Sequence, residues 1–268
     1  YPEVPVVSLN LAGLDKSPGF KFTVKLMNKL VIGTIYSDLL LKLILRIRPY
    51  ELIPGSTEEL HNKWFEKCRA SVEKPHFREF NNNIINMLCE FDAIPIHEIR
   101  KPVVGIVGEL FLKYNTQGNN ELVKLLEKEG AEAVMPTVVS FSQYMISNPI
   151  TSNSLYVHAP INSRVNQVLL KLLDIYLKPM KNEFKKYTKF HSSCDIFYLA
   201  DKVKSIVSVG NQTGEGWYLP AKMLDYLENG IENIICIQPF ACLSNHITGK
   251  GVIKAVKQIY PNANIATI

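Results

Sequence analysis

The sequence predicts an α/β protein with a Rossmann-like, mainly parallel sheet, helices on both faces and a helical arm in front of it. Three observations predict it. From Lys101 onward, compact apolar runs such as KPVVGIVGE (101–109) and IENIICIQPF (231–240) alternate with segments of helical periodicity. Those runs are apolar throughout rather than every second residue, the pattern of strands covered on both faces. The first hundred residues instead repeat apolar side chains at three- and four-residue spacing, after one short strand expected at VPVVSLN (4–10).

In the arm, the first helix is expected from about Phe22 to Arg48, where Pro49 ends it by removing a backbone donor. The second begins near Ser56, because Ser56–Glu59 reads S-x-x-E, a capping box, and runs to about Val72. A third spans His76 to Phe91, and IPIHEIRKP (94–102) is a proline-punctuated linker. Residues 1–100 thus form a mainly helical subdomain and 101–268 the α/β domain. In the second part, strand 101–109 is followed by a helix at 119–130 and a strand at AEAVMPTVV (131–139). An amphipathic helix follows from Ser163 to Lys189, then a strand at SIVSVG (205–210) and a helix from Trp217 to Asn229. The fourth strand is IENIICIQPF, the next helix runs from His246 to Ile259, and NANIATI (262–268) is the fifth strand. A chain that opens near one strand and closes in another is expected to be a piece of a longer polypeptide.

The 268 residues are 47% hydrophobic, enough for a substantial core. A formal charge of +5, from 30 basic and 25 acidic residues with scattered lysines, does not point to nucleic acid. No RNA-binding aromatic motif, zinc-finger spacing or basic stripe is present either. The most apolar window, residues 30–47, is interrupted by Asp38 and Lys42, so it reads as a buried helix; a membrane span needs about 20 mostly apolar residues. The five cysteines are odd in number and widely spaced, which is no disulfide framework and suits a reducing cytoplasm. No CxxC pair marks a self-contained zinc site.

Ligands of an open parallel sheet sit beyond the carboxyl ends of its strands. Three such loops stand out. In GIVGELFLKYNTQGNN (105–120), Glu109 and Asn115 follow a strand, and Asn119 or Asn120 suits a helix cap. In GNQTGEGWYLP (210–220), Gly214 and Gly216 let backbone approach a ligand, with Glu215 between them and a helix N-terminus behind. This is neither GxGxxG nor a lysine-bearing phosphate loop, and a tight turn with Trp217 packed on the sheet accounts for the same residues. Cofactor-binding candidates are therefore Gly214, Glu215, Gly216 and Glu109.

The third loop is QPFACLSNHITGKG (238–251). Cys242 lies just past a strand end and near a helix start, which favours the thiolate that binds metal or attacks. Cys236, inside IICI, reads as core, and Cys68 and Cys89 as small hydrophobes of amphipathic helices. Cys194, beside His191 in KFHSSCD, is a second ligand or a neighbour of a helix cap. His246 shares the Cys242 pocket if the helix has begun there, or is a polar residue near its N-terminus.

Three stretches together, PVVSLNLAGLDKSPGF (5–20), KPVVGIVGELFLKYN (101–115) and GEGWYLPAKMLDYLENGIENIICIQPFACLSNHITGKG (214–251), resemble a family. It is that of the large proteins related to the activator and dehydratase components of 2-hydroxyacyl-CoA dehydratases. The likeness runs from about Val4 to the C-terminus and points to the dehydratase-like, iron–sulfur reductase region rather than to the ATPase module. It implies low-potential electron transfer. An ATPase partner drives an electron onto an iron–sulfur protein, and a dehydratase uses it to form a ketyl radical and eliminate water from a 2-hydroxyacyl-CoA. Cluster ligands in such proteins are cysteines at strand ends, and Pro–Phe–x–Cys in QPFACL matches such a position, so Cys242 is the metal ligand carried over. A [4Fe–4S] cluster usually takes four thiolates. The resemblance therefore implies a cluster completed elsewhere, with ATP on a separate domain. ATPase and cluster-bearing domains are the implied partners, with an acyl-CoA as a further one. A non-catalytic docking module is the alternative, and a CoA-ester or nucleotide site at the GEGW loop the third.

Overall fold

The computed structural model describes residues 23–155, 160–190 and 194–268; the strand expected at 4–10 and His191 lie outside them. Helix α1 (Val24–Ile47) starts at Thr23, whose hydroxyl accepts the Leu26 N–H at 3.2 Å, and passes at Pro49 into a 3-10 turn, Arg48–Tyr50. Helices α2 (Ser56–Glu73) and α3 (Phe77–Asp92) follow as the apolar spacing predicts. The capping box expected at Ser56 does not form. Gly55 is the cap residue, and the Glu51 carboxylate accepts the N–H groups of Gly55 at 2.7 Å and Thr57 at 2.8 Å. The chain folds back before α2, so a carboxylate satisfies the orphan donors that a serine hydroxyl would otherwise take.

The second part runs β1 (Val103–Gly108), α4 (Leu110–Tyr114), α5 (Leu122–Lys128), β2 (Glu132–Val134), α6 (Val138–Leu155), α7 (Pro160–Phe184) and α8 (Ile196–Val203). It continues with α9 (Tyr218–Glu228), β3 (Asn233–Ile237), α10 (Leu243–Thr248), a 3-10 turn (Lys250–Val252), α11 (Ile253–Ile259) and β4 (Asn264–Thr267). Among the described residues there is one sheet of four strands, all parallel, in the order β2-β1-β3-β4. The architecture is α/β and Rossmann-like, with the helical arm in front.

The run at 205–210 is not a strand. The N–H groups of Ile206 and Val207 both bond the Val203 carbonyl, at 2.8 and 2.9 Å, continuing the end of α8 as a turn. Val203 and Val209 are buried against Leu199 and Tyr218, so this apolar run finds cover from helices and needs no sheet partner. β2 is shorter than 131–139 because Pro136 has no N–H for the ladder. Just beyond it α6 begins, an element the sequence pattern does not announce. Its first N–H groups, on Val138 and Val139, are accepted by the Asp38 carboxylate of α1 at 2.9 and 2.7 Å. The helix after β3 starts at Leu243 rather than His246 and is interrupted by the 3-10 turn.

The sheet is covered on two sides. Ile44 and Leu45 of α1 pack with Ile106, Ala133 and Ile237 on one face. Leu219 and Met223 of α9 and Val256 of α11 pack with Val107, Ile234 and Cys236 on the other. The helical core holds Leu39, Leu43, Trp64, Phe80 and Phe91 together with Leu177 and Phe184 of α7, so it draws on a segment well beyond residue 100. Among the described residues no helix is long and apolar enough to cross a membrane.

β1 lies between β2 and β3, so the chain leaves β1 toward one side and returns on the other. That reversal is the topological switch point at which loops diverge and leave a crevice. It puts the GEL loop after β1 beside the QPFAC loop after β3.

Candidate functional site

β1 and β3 end level with each other, Gly108 opposite Ile237. The Glu109 N–H donates to the Ile237 carbonyl at 2.9 Å, and its carboxylate accepts the Leu112 N–H at 2.7 Å, capping α4. Both of these contacts are to backbone. Asn115 accepts from the Gln117 and Gly118 N–H groups, and Asn119 accepts the Leu122 N–H at 3.2 Å, although the cap residue of α5 is Glu121 rather than Asn119 or Asn120.

Glu215 comes from the loop before α9 and is 5% exposed. One carboxylate oxygen accepts the Leu110 N–H at 2.8 Å and the other accepts Asn245 Nδ2 at 2.9 Å. A single side chain therefore ties together the loop after β1, the loop before α9 and α10 after β3. Beneath them Lys113 is 3% exposed, and burial pushes its ammonium down to about 8 against the opposing pull of Glu215 and Glu109.

Gly214 and Gly216 both take left-handed backbone, φ 60 and 44. A Cβ on Gly216 would lie 2.1 Å from the Asn211 carbonyl oxygen, and one on Gly214 would lie 2.6 Å from Ser244 Oγ. These glycines close a tight turn and let it press against the Cys242 loop. Trp217 does not pack on the sheet as expected. It is buried against Tyr144 of α6, ring centroids 5.1 Å apart, with its indole N–H donated to Asn148 at 3.1 Å. A tryptophan that needs a polar partner finds it on the helix the sequence pattern hid.

Cys242 is the cap residue of α10 and is half-buried. Asn245 Nδ2 donates to its sulfur at 3.1 Å, and Ser244 Oγ lies 3.5 Å away. Burial alone would raise the thiol, but the contacts from Ser244 and Asn245 outweigh it and hold Cys242 below the usual thiol value. The lowering comes from the Ser244 and Asn245 side chains together with the Asn245 backbone N–H at the start of the six-residue α10. The residue before the sulfur, Ala241, has φ 60, a conformation that non-glycine side chains avoid and that stores local strain. Around it Phe240, Leu243 and Ile247 are exposed, and so is Phe111 in the loop after β1.

The remaining thiols have other surroundings. Cys236 is fully buried and pushed up to about 12, and buried Cys68 likewise. Cys194 donates to the Asp225 carboxylate at 2.9 Å and, through burial and that bond, rises to about 11. Cys89 is exposed on α3. His246 lies exposed, its Nδ1 3.3 Å from Gln238 Nε2. The fold thus brings together Glu109, Gly214, Glu215 and Cys242; Cys194 makes its contact elsewhere, and His246 donates its backbone N–H to the Cys242 carbonyl at 3.0 Å while its ring faces Gln238. Sequence reasoning missed Asn245 and Lys113. Asn245 stands three residues after the cap residue, the spacing at which a side chain reaches back to a helix cap, and C-L-S-N carried that signal.

Chemically, the arrangement offers one soft, thiolate-prone sulfur at the rim of the switch point. Among the described residues no group of three or more His, Cys, Asp or Glu stands ready to hold a metal ion. One cysteine is a single donor, whereas a [4Fe–4S] cluster usually takes four thiolates, so the described residues do not hold one by themselves. Comparison with protein-family descriptions, curated proteins and solved structures returned no match for this chain.

Proposed function

We propose that this chain supplies one wall and one thiolate, Cys242, of an iron–sulfur site that another polypeptide segment completes, in low-potential electron transfer of the 2-hydroxyacyl-CoA dehydratase kind. The observation that carries the reading is the Cys242 sulfur. It sits at the switch point, receives a hydrogen bond from the Asn245 amide, lies within hydrogen-bonding distance of the Ser244 hydroxyl and is held below the usual thiol value. Hydrogen bonds to a ligating sulfur are a recognised means of tuning a cluster's potential. Asn245 and Ser244 would do so here. The exposed Phe111, Phe240 and Leu243 give a second segment an apolar surface on which to close the site and exclude water. When bound, the cluster would supply the electron; this chain's residues orient one of its ligands and shield it.

The test is iron and labile sulfide content of the protein isolated anaerobically from its native cells, with and without Cys242→Ala. Loss of iron in the variant supports the reading, and full iron content in it removes Cys242 as a ligand. A second reading, an α/β docking module with no redox role, is favoured by the same exposed apolar side chains. It predicts that an ATPase or cluster-bearing partner domain binds the Cys242→Ala chain as tightly as the parent, with iron unchanged.

A further inference from the structure

Away from the switch point, a cavity of about 670 Å³ opens between α1, the 96–101 linker, the β2 edge and the C-terminal half of α9. Its size falls within the roughly 300–1,000 Å³ typical of small-molecule sites. Six lysines and arginines line it against four carboxylates, so the cavity is net cationic and favours an anion. Most of these charges are already paired. Lys222 bonds Asp225, and Arg46 bonds Glu132 at 2.8 Å. The two oxygens of Asp38 are taken by the Val138 and Val139 N–H groups.

Lys42 differs from them. Its ammonium packs over the Phe184 ring at 4.9 Å, and among the described residues it has no carboxylate at ion-pairing distance. Burial and the neighbouring Lys222 ammonium push it down to about 8, against the opposing pull of Asp225 and Asp38. Apolar walls flank it: Leu41 and Leu45 on α1, Ile99 in the linker, Met135 after β2. Arg100 and Lys101 of the linker also lack a carboxylate at ion-pairing distance among the described residues, but Lys42 is the buried one of the three, and a single buried cation matches one negative charge. A phosphate, with its higher charge and three strong acceptor oxygens, would call for more donors than Lys42 supplies.

We propose that this cavity binds a small monocarboxylate with a hydrocarbon body, its carboxylate on Lys42 and its chain along Leu41, Leu45, Ile99 and Met135. The site is separate from the Cys242 rim and stands whether or not that rim holds a cluster.

Calorimetric titration with sodium octanoate tests it, with octylamine and inorganic phosphate as comparison probes. Saturable octanoate binding in the millimolar range or tighter is expected, with neither comparison probe binding as well. Lys42→Met keeps the side-chain length, removes the charge and should weaken octanoate at least tenfold. Should that variant fail to melt cooperatively, Ile99→Glu decides. It adds a negative charge at an exposed position on the wall and should weaken octanoate several-fold. Absence of saturable octanoate binding, equal binding of octylamine, tighter binding of phosphate, or unchanged affinity in folded Lys42→Met would each overturn the proposal.

Discussion

Glu215 accepts a hydrogen bond from Asn245 at 2.9 Å, joining residues thirty positions apart in the chain at the carboxyl end of a parallel sheet. The same amide group also donates to Cys242, so the position of the sulfur depends on a carboxylate that never touches it. Asn245 is fully buried, and its side-chain oxygen Oδ1 has no partner among the described residues, a cost the native link already carries. Replacing Asn245 with Ala should leave Glu215 one donor short inside the protein. The expected loss is about 1–3 kcal/mol, read from urea unfolding midpoints at constant slope; an unchanged midpoint would show that the link carries no stability.

The turn before α9 gives a second prediction. Gly216→Ala places a Cβ against the Asn211 carbonyl and asks a non-glycine residue to hold φ 44. Both effects oppose the fold, so the loss should reach about 2 kcal/mol or more. Gly214→Ala meets the end of a movable serine side chain instead and should cost less. A larger loss for Gly214→Ala, in thermal or urea unfolding of the two variants, would reverse this assignment.

Asp38 predicts a pH effect. Burial raises its carboxyl from 3.8 to about 6, against the two backbone N–H groups that lower it. The folded state therefore holds this proton more tightly than the unfolded chain. The stability it contributes is full below about pH 4, is lost as pH rises through 6, and stays lost above. Across that window the wild-type stability should fall relative to Asp38→Asn by on the order of 3 kcal/mol. Denaturant titrations of both proteins at intervals from pH 4 to 7 check this; a difference constant with pH contradicts it.

The sheet was readable because β1 and β3 are largely β-branched apolar runs with glycine or proline near their ends. The same rule misassigned Ser205–Gly210, since a short apolar run looks alike whether a strand or a helical layer covers it. Helix α6 escaped notice for a different reason. Its sequence, with Ser, Thr, Asn and an internal Pro149, has weak helical preference, and its cap comes from Asp38, a hundred residues away. At the site, the loop bearing Cys242 was legible from its strand-end position. The bridge from Glu215 through Asn245 was not, because only the topology brings 110, 215 and 245 together. Lys42 read as an interruption in a buried helix, and nothing in its neighbours announced a cavity.

The central claim is that the loop after β3 presents an outward sulfur activated by its neighbours. Alkylation by iodoacetamide, followed at each cysteine by peptide mass spectrometry as pH is raised, tests it most directly. Cys242 should react with a midpoint below that of an unperturbed thiol and ahead of Cys194, Cys236 and Cys68, and Asn245→Ala should move its midpoint upward. A Cys242 that reacts no earlier than Cys194, or whose midpoint ignores the Asn245 substitution, would contradict the account.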